Sequence, residues 1–200
     1  MKLNPQEIVD SLPASDRQRL SAFRDLLADR AVPLGMVAAA DLPRLWERHV
    51  LDSVRGVSCV PTRAETVADI GSGAGLPGVP IAVCRPDLKI DLVEPASRRA
   101  GFLELVVENL GLSNVKVIVD RAERLDLGVD LCLARAVASP GRTWRLAQGL
   151  LAPRGRLLLW AGRSWLAAAA SELDRREVPW KICAPPGFSW EGPLVIMGGT

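Results

Sequence analysis

From Thr66 onward, short apolar runs alternate with longer segments of helical spacing. The runs Thr66 to Ile70, Ile90 to Val93, Val115 to Val119, Asp130 to Ala134 and Arg156 to Trp160 carry few polar residues, which predicts strands buried on both faces. Helical stretches separate them: one after Gly78, one from Ser97 to Leu110 with Gly111 as its stop, one around Gly141 to Leu151, and one from Ser164 to Arg176. Strand and helix taking turns predict an α/β fold, with a mostly parallel sheet covered by helices on both faces. Two further strands, Trp180 to Cys183 and Leu194 to Met197, are expected in the tail, separated by a loop rich in proline and glycine.

The first quarter has a different period. Ser15 can cap a helix, with Gln18 completing a capping box, and Leu20, Phe23 and Leu27 then form an apolar stripe. A second amphipathic helix is expected after Asp41, where Leu42, Leu45, Trp46, His49 and Val50 recur at helical spacing. Val57 to Glu65 reads as a linker. The expected organisation is a helical cap over residues 1–56 and an α/β core over 57–200.

Composition narrows this without redirecting it. With 48% hydrophobic and 24% charged residues in 200, the chain has the balance of one folded domain, and extended disorder is excluded. No apolar run approaches a membrane span and Met1 to Asp10 lacks a secretory pattern, so a cytoplasmic protein without membrane association is expected. Cys59, Cys84, Cys132 and Cys183 are widely spaced and His49 is the only histidine, so neither a metal site nor a disulfide framework is expected. The net charge is only +2, but Arg135, Arg142, Arg145, Arg154, Arg156 and Arg163 lie between Asp130 and Glu172 with no carboxylate among them. Such a field suits phosphate contacts. Arginines that merely solvate helix faces are the alternative.

The strongest chemical signal is the segment Asp69-Ile70-Gly71-Ser72-Gly73-Ala74-Gly75-Leu76-Pro77-Gly78 at the exit of the first sheet strand. Its glycines allow a sharp turn and close approach of a ligand to the backbone. Gly73, Gly75 and Gly78 also satisfy the dinucleotide spacing, so an NAD-dependent oxidoreductase is a rival at this point. Glu94, ending the second strand, can accept hydrogen bonds from the hydroxyls of an adenosine ribose. Asp120-Arg121-Ala122-Glu123 follows the third strand, where an amide and a carboxylate can read an adenine edge. Acids after three successive strands favour a cationic sulfonium over a diphosphate, and so S-adenosylmethionine over a nicotinamide.

Several segments in order, from about Asp41 to Gly162, carry a family resemblance: Trp46-Glu47-Arg48-His49-Val50-Leu51-Asp52-Ser53, the glycine loop continued by Leu76-Pro77-Gly78-Val79-Pro80, Leu92-Val93-Glu94, Arg121-Ala122-Glu123 and Ala134-Arg135-Ala136. Together they resemble the bacterial 16S ribosomal RNA guanine-N7 methyltransferases, the RsmG or GidB family. The resemblance implies a Rossmann-like class I methyltransferase fold and a donor site at Gly71, Leu76, Ala122, Glu123 and Arg135. It also implies a guanine N7 of 16S ribosomal RNA or the small subunit as acceptor. With the residues read above, the expected cofactor-binding set is Asp69, Gly71, Gly73, Gly75, Leu76, Glu94, Ala122, Glu123 and Arg135. RNA contacts are expected from Arg142, Arg145 and Arg163, and the chain is expected to act as a monomer. Three segments depart from the family pattern: Pro33-Leu34-Gly35 stands for Asn-Leu-Thr, Ala161-Gly162 for Lys-Gly, and Glu191-Gly192-Pro193 lacks a basic residue. A diverged binding protein that has lost or retargeted methyl transfer is therefore a second rival.

Guanine N7 carries a lone pair in the neutral ring, so its attack on a methyl group needs no general base. His49 and Asp52 are accordingly expected to position the site rather than move protons. Trp160 is expected in the core, and Trp144, Trp165, Trp180 and Trp190 are candidate stacking platforms for a base.

Overall fold

Seven strands form one mixed sheet in the computed structural model, which describes residues 5–162, 173, 177–184 and 192–199. In chain order they are β1 (Thr66–Ile70), β2 (Lys89–Val93), β3 (Val115–Ile118), β4 (Val129–Arg135), β5 (Leu151–Trp160), β6 (Trp180–Ala184) and β7 (Leu194–Met197). The spatial order is β3-β2-β1-β4-β5-β7-β6. Strands β1 to β5 pair in parallel, and β7 lies antiparallel between β5 and β6. The chain winds outward from β1 through β2 to β3, then returns to place β4 on the other side of β1. This reversal opens a crevice beyond the carboxyl ends of β1 and β4, the usual ligand position in an open α/β sheet.

The strands are apolar because both faces are covered. Along β4, Leu131 and Leu133 join one core layer with Phe23, Ile81 and Leu103, while Cys132 and Ala134 join a second with Leu150, Leu157 and Met197. That alternation follows from the two-residue period of a strand. Helices α4 (Gly78–Cys84), α5 (Ser97–Leu110) and α6 (Pro140–Gln148) follow β1, β2 and β4. Gly111 ends α5 at φ +60°, a conformation that costs glycine nothing. The segment Ser164 to Arg176 lies outside the described residues except Leu173, which is buried.

The N-terminal part is helical but less regular than its pattern predicts. After α1 (Pro5–Ser11), α2 (Ala14–Leu26) begins behind Pro13, ahead of the capping box expected at Ser15 and Gln18. No side-chain cap forms, and the Ser15 hydroxyl donates to Asp16 instead. The second expected helix is a succession of tighter and wider turns: Ala39–Arg44, Leu45–Leu51, α3 (Asp52–Val54) and Arg55–Cys59. Pro43 lacks an amide hydrogen and breaks the regular ladder there. Leu42 is consequently exposed rather than part of the stripe, while Leu45 and Val50 are buried. The last turn runs past residue 57 into the expected linker. One apolar cluster joins Leu20, Phe23, Val50 and Val54 to Val79 and Leu92, so the cap packs directly on the sheet's helical layer.

One expectation about the cysteines is corrected. Cys59 and Cys183 form a disulfide, their Cα atoms 5.9 Å apart, tying the turn before β1 to β6 across 124 residues of sequence. Spacing along the chain cannot reveal such a pair, because only the sheet order brings β6 back beside the cap. Cys84 and Cys132 are free. Among the described residues no group of three or more His, Cys, Asp or Glu could hold a metal, and no helix is long and apolar enough to cross a membrane.

Candidate functional site

The loop between β1 and α4 turns through three left-handed glycines, Gly71 (φ +64°), Gly73 (φ +55°) and Gly75 (φ +84°). The left-handed region penalises any residue with a Cβ. Gly78 answers a second constraint: an added Cβ would overlap Leu92 and lie 2.6 Å from the Asp69 carboxylate.

Asp69 holds the two ends of this loop together. It is fully buried, and one carboxylate oxygen accepts the Gly78 N–H at 3.1 Å. Its other oxygen has no partner among the described residues. Burial pushes its carboxyl up to about 7, against the pull of its hydrogen bonds and with a small contribution from Glu94. Asp69 thus joins the end of β1 to the start of α4 and organises the loop between them.

Glu94 clamps the same loop from β2. Its Oε2 accepts the Gly73 N–H at 3.0 Å and its Oε1 the Ala96 N–H at 2.9 Å, with Arg99 3.9 Å away. Each oxygen retains a second lone pair. Most other amides here are also engaged: Ser72 N–H donates to Val93 O, Gly75 and Leu76 N–H to Ser72 O, Val79 N–H to Gly75 O and Ile81 N–H to Pro77 O.

Above this loop, at the carboxyl ends of the strands, lies a cavity of about 220 Å³. Three of the expected cofactor residues, Gly71, Ala122 and Glu123, line it. Asp69, Gly73, Gly75, Leu76, Glu94 and Arg135 do not; Glu94 stands directly between two that do, Val93 and Pro95. The volume falls below the ~300–1,000 Å³ of pockets that enclose a whole drug-sized ligand, and suits the nucleoside end of one.

Sequence reasoning missed most of the far wall, which comes from Val137, Ala138, Arg142 and Leu146. Val137 Cγ2 sits 3.4 Å from where a Cβ on Gly71 would be. Ala136, at φ +55°, turns the chain from β4 into this wall. The signal available was the small and apolar run Ala136-Val137-Ala138 between a strand end and a helix start.

Arg135 points instead toward the cap. Its guanidinium donates to Arg48 O at 2.9 Å, lies 3.2 Å from Asp52 Oδ2, and reaches Ser53 Oγ at 3.4 Å. Asp52, almost fully buried, also binds Arg55 at 2.6 Å, so one carboxylate joins two cations. The Trp160 indole N–H donates to the Asp52 carbonyl at 2.8 Å, fixing the turn to the end of β5. His49 Nε2 is 3.1 Å from Asp41, which Arg48 also approaches at 3.2 Å. Burial, and then the charge of Arg135, hold His49 below its ordinary value of 6.5 against the pull of Asp41.

Among the departures, Ala161 is buried and donates its N–H to Pro193 O, while a Cβ on Gly192 would overlap the Ala161 carbonyl. Of the expected RNA contacts, Arg142 and Arg145 are exposed on α6, and Arg163 lies outside the described residues, as do Trp165 and Trp190.

The fold is shared with solved methyltransferases of low sequence identity. A ribosomal protein L11 methylase from Lactobacillus delbrueckii subsp. bulgaricus superposes with a TM-score of 0.60 at 14% identity, covering 76% of this chain and 79% of that one. An Aeropyrum pernix fibrillarin, solved with S-adenosyl-L-methionine bound, gives 0.52 at 18% identity, covering 67% of this chain and 66% of that one. Sequence relatives are far nearer. The ribosomal RNA small subunit methyltransferase G of a Nocardioides species is 44% identical over 182 residues, 88% of this chain and 71% of that protein. The Streptomyces coelicolor protein of the same name is 46% identical over 162 residues, 76% of this chain and 66% of its own length. The chain thus spans about two thirds of the length of such relatives. The family model described as rRNA small subunit methyltransferase G matches residues 16–178. This chain belongs to the rRNA small subunit methyltransferase G family.

Proposed function

We propose that this chain is an S-adenosylmethionine-dependent methyltransferase whose acceptor is a guanine N7 of 16S ribosomal RNA. The observation that carries the reading is the cavity at the β1–β4 crevice, walled by Gly71, Ala122 and Glu123 in a chain of this family. Those residues fit an adenosine: Val93, Pro95, Ala122, Val137 and Leu146 supply apolar surface, Glu123 a carboxylate at its edge, and Glu94 the remaining lone pairs for ribose hydroxyls.

S-adenosylmethionine supplies an electrophilic methyl on a sulfonium. The guanine N7 lone pair forms the new bond to that methyl as the carbon–sulfur bond breaks, and sulfur keeps the electron pair. No proton moves, so the protein's part is to hold the base and donor in line and exclude water. His49 fits this account, since its depressed basicity leaves it neutral at pH 7 and its ring is committed to Asp41. Asp52 and Arg135 tie the His49 turn to the end of β4 and so fix the acceptor side relative to the donor side.

The test is to incubate the chain with labelled donor and small ribosomal subunits, and to map the modified base. Label at N7 of one guanine is expected. Binding of the donor without transfer would instead identify a diverged binding protein, for which Ala161 in the place of a lysine is the motive. Replacing Glu94 by Ala should weaken donor binding, and unchanged affinity would remove Glu94 from the site.

A further inference from the structure

The arginine run between Asp130 and Glu172 does not form a single field. Helix α6 carries the chain from the carboxyl end of β4 back to the start of β5, and so divides the run between opposite ends of the sheet. Arg142 lines the donor cavity. Arg154 and Arg156 lie at the other end, about 17 Å away by the length of a five-residue strand, where Arg63 from the turn before β1 joins them.

These three arginines line a cavity of about 500 Å³, together with Pro61, Ala64, Asp130, Pro153, Gly155 and Gly199. The one carboxylate among these residues, Asp130, has one of its oxygens committed to the backbone and side chain at the start of β1. A single oxygen accepts the Glu65 N–H at 2.9 Å, the Thr66 N–H at 3.0 Å and the Thr66 hydroxyl at 2.9 Å. None of the three arginines has a hydrogen bond or ion pair within the described residues.

The backbone here is shaped around the arginines. Where β4 and β5 pair, the register passes from Val129 opposite Leu151 to Leu131 opposite Arg156. One residue, Asp130, therefore faces four, Ala152 to Gly155, which bulge out of the ladder and present Arg154. Bulges of this kind re-aim side chains and recur beside functional sites. Arg154 is held at φ +69°, where glycine would be unstrained. Gly199 makes room for Arg156, three of whose side-chain atoms lie 2.5–3.2 Å from where a Cβ would sit. A charged residue kept in a costly conformation, in a cleft where its charge meets no partner among the described residues, is better explained by a ligand than by folding.

We infer that this cleft binds the phosphodiester backbone of the RNA substrate, at a contact remote from the methylated base. Three convergent guanidinium forks suit tetrahedral anions. Among the described residues no aromatic side chain lines the cleft, so they offer no stacking platform for a base. Arg142 and Arg145, three residues apart on the exposed side of α6, continue positive charge from the donor cavity along the helix that leads to the start of β5. A long folded RNA can reach both ends. The inference rests on the proposed RNA substrate, which its test separates from the cleft itself.

The experiment compares the full chain with Arg154→Gly and with the triple variant Arg63→Gln/Arg154→Gly/Arg156→Gln. Affinity for transcribed small-subunit ribosomal RNA is measured between about 50 and 200 mM salt, and methyl transfer is assayed separately. Each lost phosphate contact lowers the slope of log affinity against log salt by about 0.7–0.9. Arg154→Gly should therefore melt at the same or a higher temperature yet lose about one such increment, and the triple variant two to three. The KM for RNA should rise in step, while affinity for S-adenosylmethionine holds. A folded triple variant with the parent slope and KM overturns the cleft and leaves the methyltransferase reading standing. RNA binding that loses slope in the triple variant, with no methyl transfer by any form, supports the cleft and overturns that reading. If the parent chain does not bind the RNA, the cleft falls, and methyl transfer to small ribosomal subunits decides the methyltransferase reading on its own.

Discussion

Replacing Asp69 by Asn isolates the cost of a buried carboxylate in the donor loop. Below pH 3.8 the carboxyl is protonated in folded and unfolded chains alike, and contributes no pH dependence. As pH rises above that value the unfolded chain releases the proton, while the folded chain keeps it until about pH 7. The unfolded state then binds fewer protons than the folded one, so stability falls as pH rises through this window. At about 1.4 kcal/mol per pH unit, the span from 3.8 to about 7 amounts to about 4 kcal/mol. Asn cannot ionise, and its carbonyl can still accept the Gly78 N–H. Its amide nitrogen replaces an oxygen that has no partner among the described residues, a fixed cost of about 1–3 kcal/mol. The variant should thus be the less stable protein near pH 4 and the more stable one at pH 8, with the curves crossing between about pH 4.5 and 6. Urea unfolding of both proteins across that range measures the difference directly, since every other titrating group is common to the two. Parallel curves would refute the raised carboxyl, and with it the view that Asp69 faces the interior.

Asp52→Asn leaves Arg55 and Arg135 facing each other without their shared carboxylate, and should cost about 3 kcal/mol in urea unfolding; a loss under about 1 kcal/mol would mean the cluster is not held together by charge. Gly75→Ala should cost about 2–3 kcal/mol, because its Cβ meets both a left-handed backbone and Val79 at 2.7 Å. Gly73→Ala, with nothing nearer than 3.7 Å, should cost about 1 kcal/mol, and equal melting temperatures for the two would contradict this loop geometry. His49→Gln should change kcat/KM by less than about tenfold, whereas a general base would lose about 100-fold or more. Because His49 is held below 6.5, the unfolded chain takes up a proton that the folded one refuses, so the parent loses stability as pH falls below 6.5 and the Gln variant does not.

The sheet was readable because burial on both faces leaves continuous apolar runs: β1 and β7 begin and end where the pattern places them, as does α5 with Gly111 after it. The cap was less so, since Pro43 breaks the ladder inside an amphipathic pattern that side-chain period alone continues through. Within the site, residue type at a strand end singled out Asp69, Glu94 and Glu123, but not that the first two bond loop amides while the third lines the cavity. That arrangement depends on a loop folding back so that Gly73 donates to Glu94 and Gly78 to Asp69, a long-range outcome. The same limit applies to the arginines. Arg142 and Arg154 are near neighbours in sequence, yet α6 reverses the chain between them.

These arrangements change the reason for preferring a sulfonium to a diphosphate. The expectation rested on a negative field shared by acids after three strands. In the structure Asp69 keeps its proton to about pH 7 and is fully buried, and the Glu94 carboxylate is clamped by two amides. Among the described residues lining the cavity, Glu123 is the only acid, and Arg121 and Arg142 are both cations. Repulsion of an anion therefore cannot be the discriminator. What a diphosphate needs at such a loop is free backbone N–H groups at the start of the following helix. Here Asp69 occupies the Gly78 N–H, Val79 and Ile81 donate within the loop and helix, and Pro77 and Pro80 have no hydrogen to give. The glycine spacing that admits a dinucleotide on paper thus leads into a helix start whose Gly78, Val79 and Ile81 donors are already engaged. On the proposed function, selectivity would follow from withheld hydrogen bonds, and a nucleoside carrying no phosphate loses nothing by their absence.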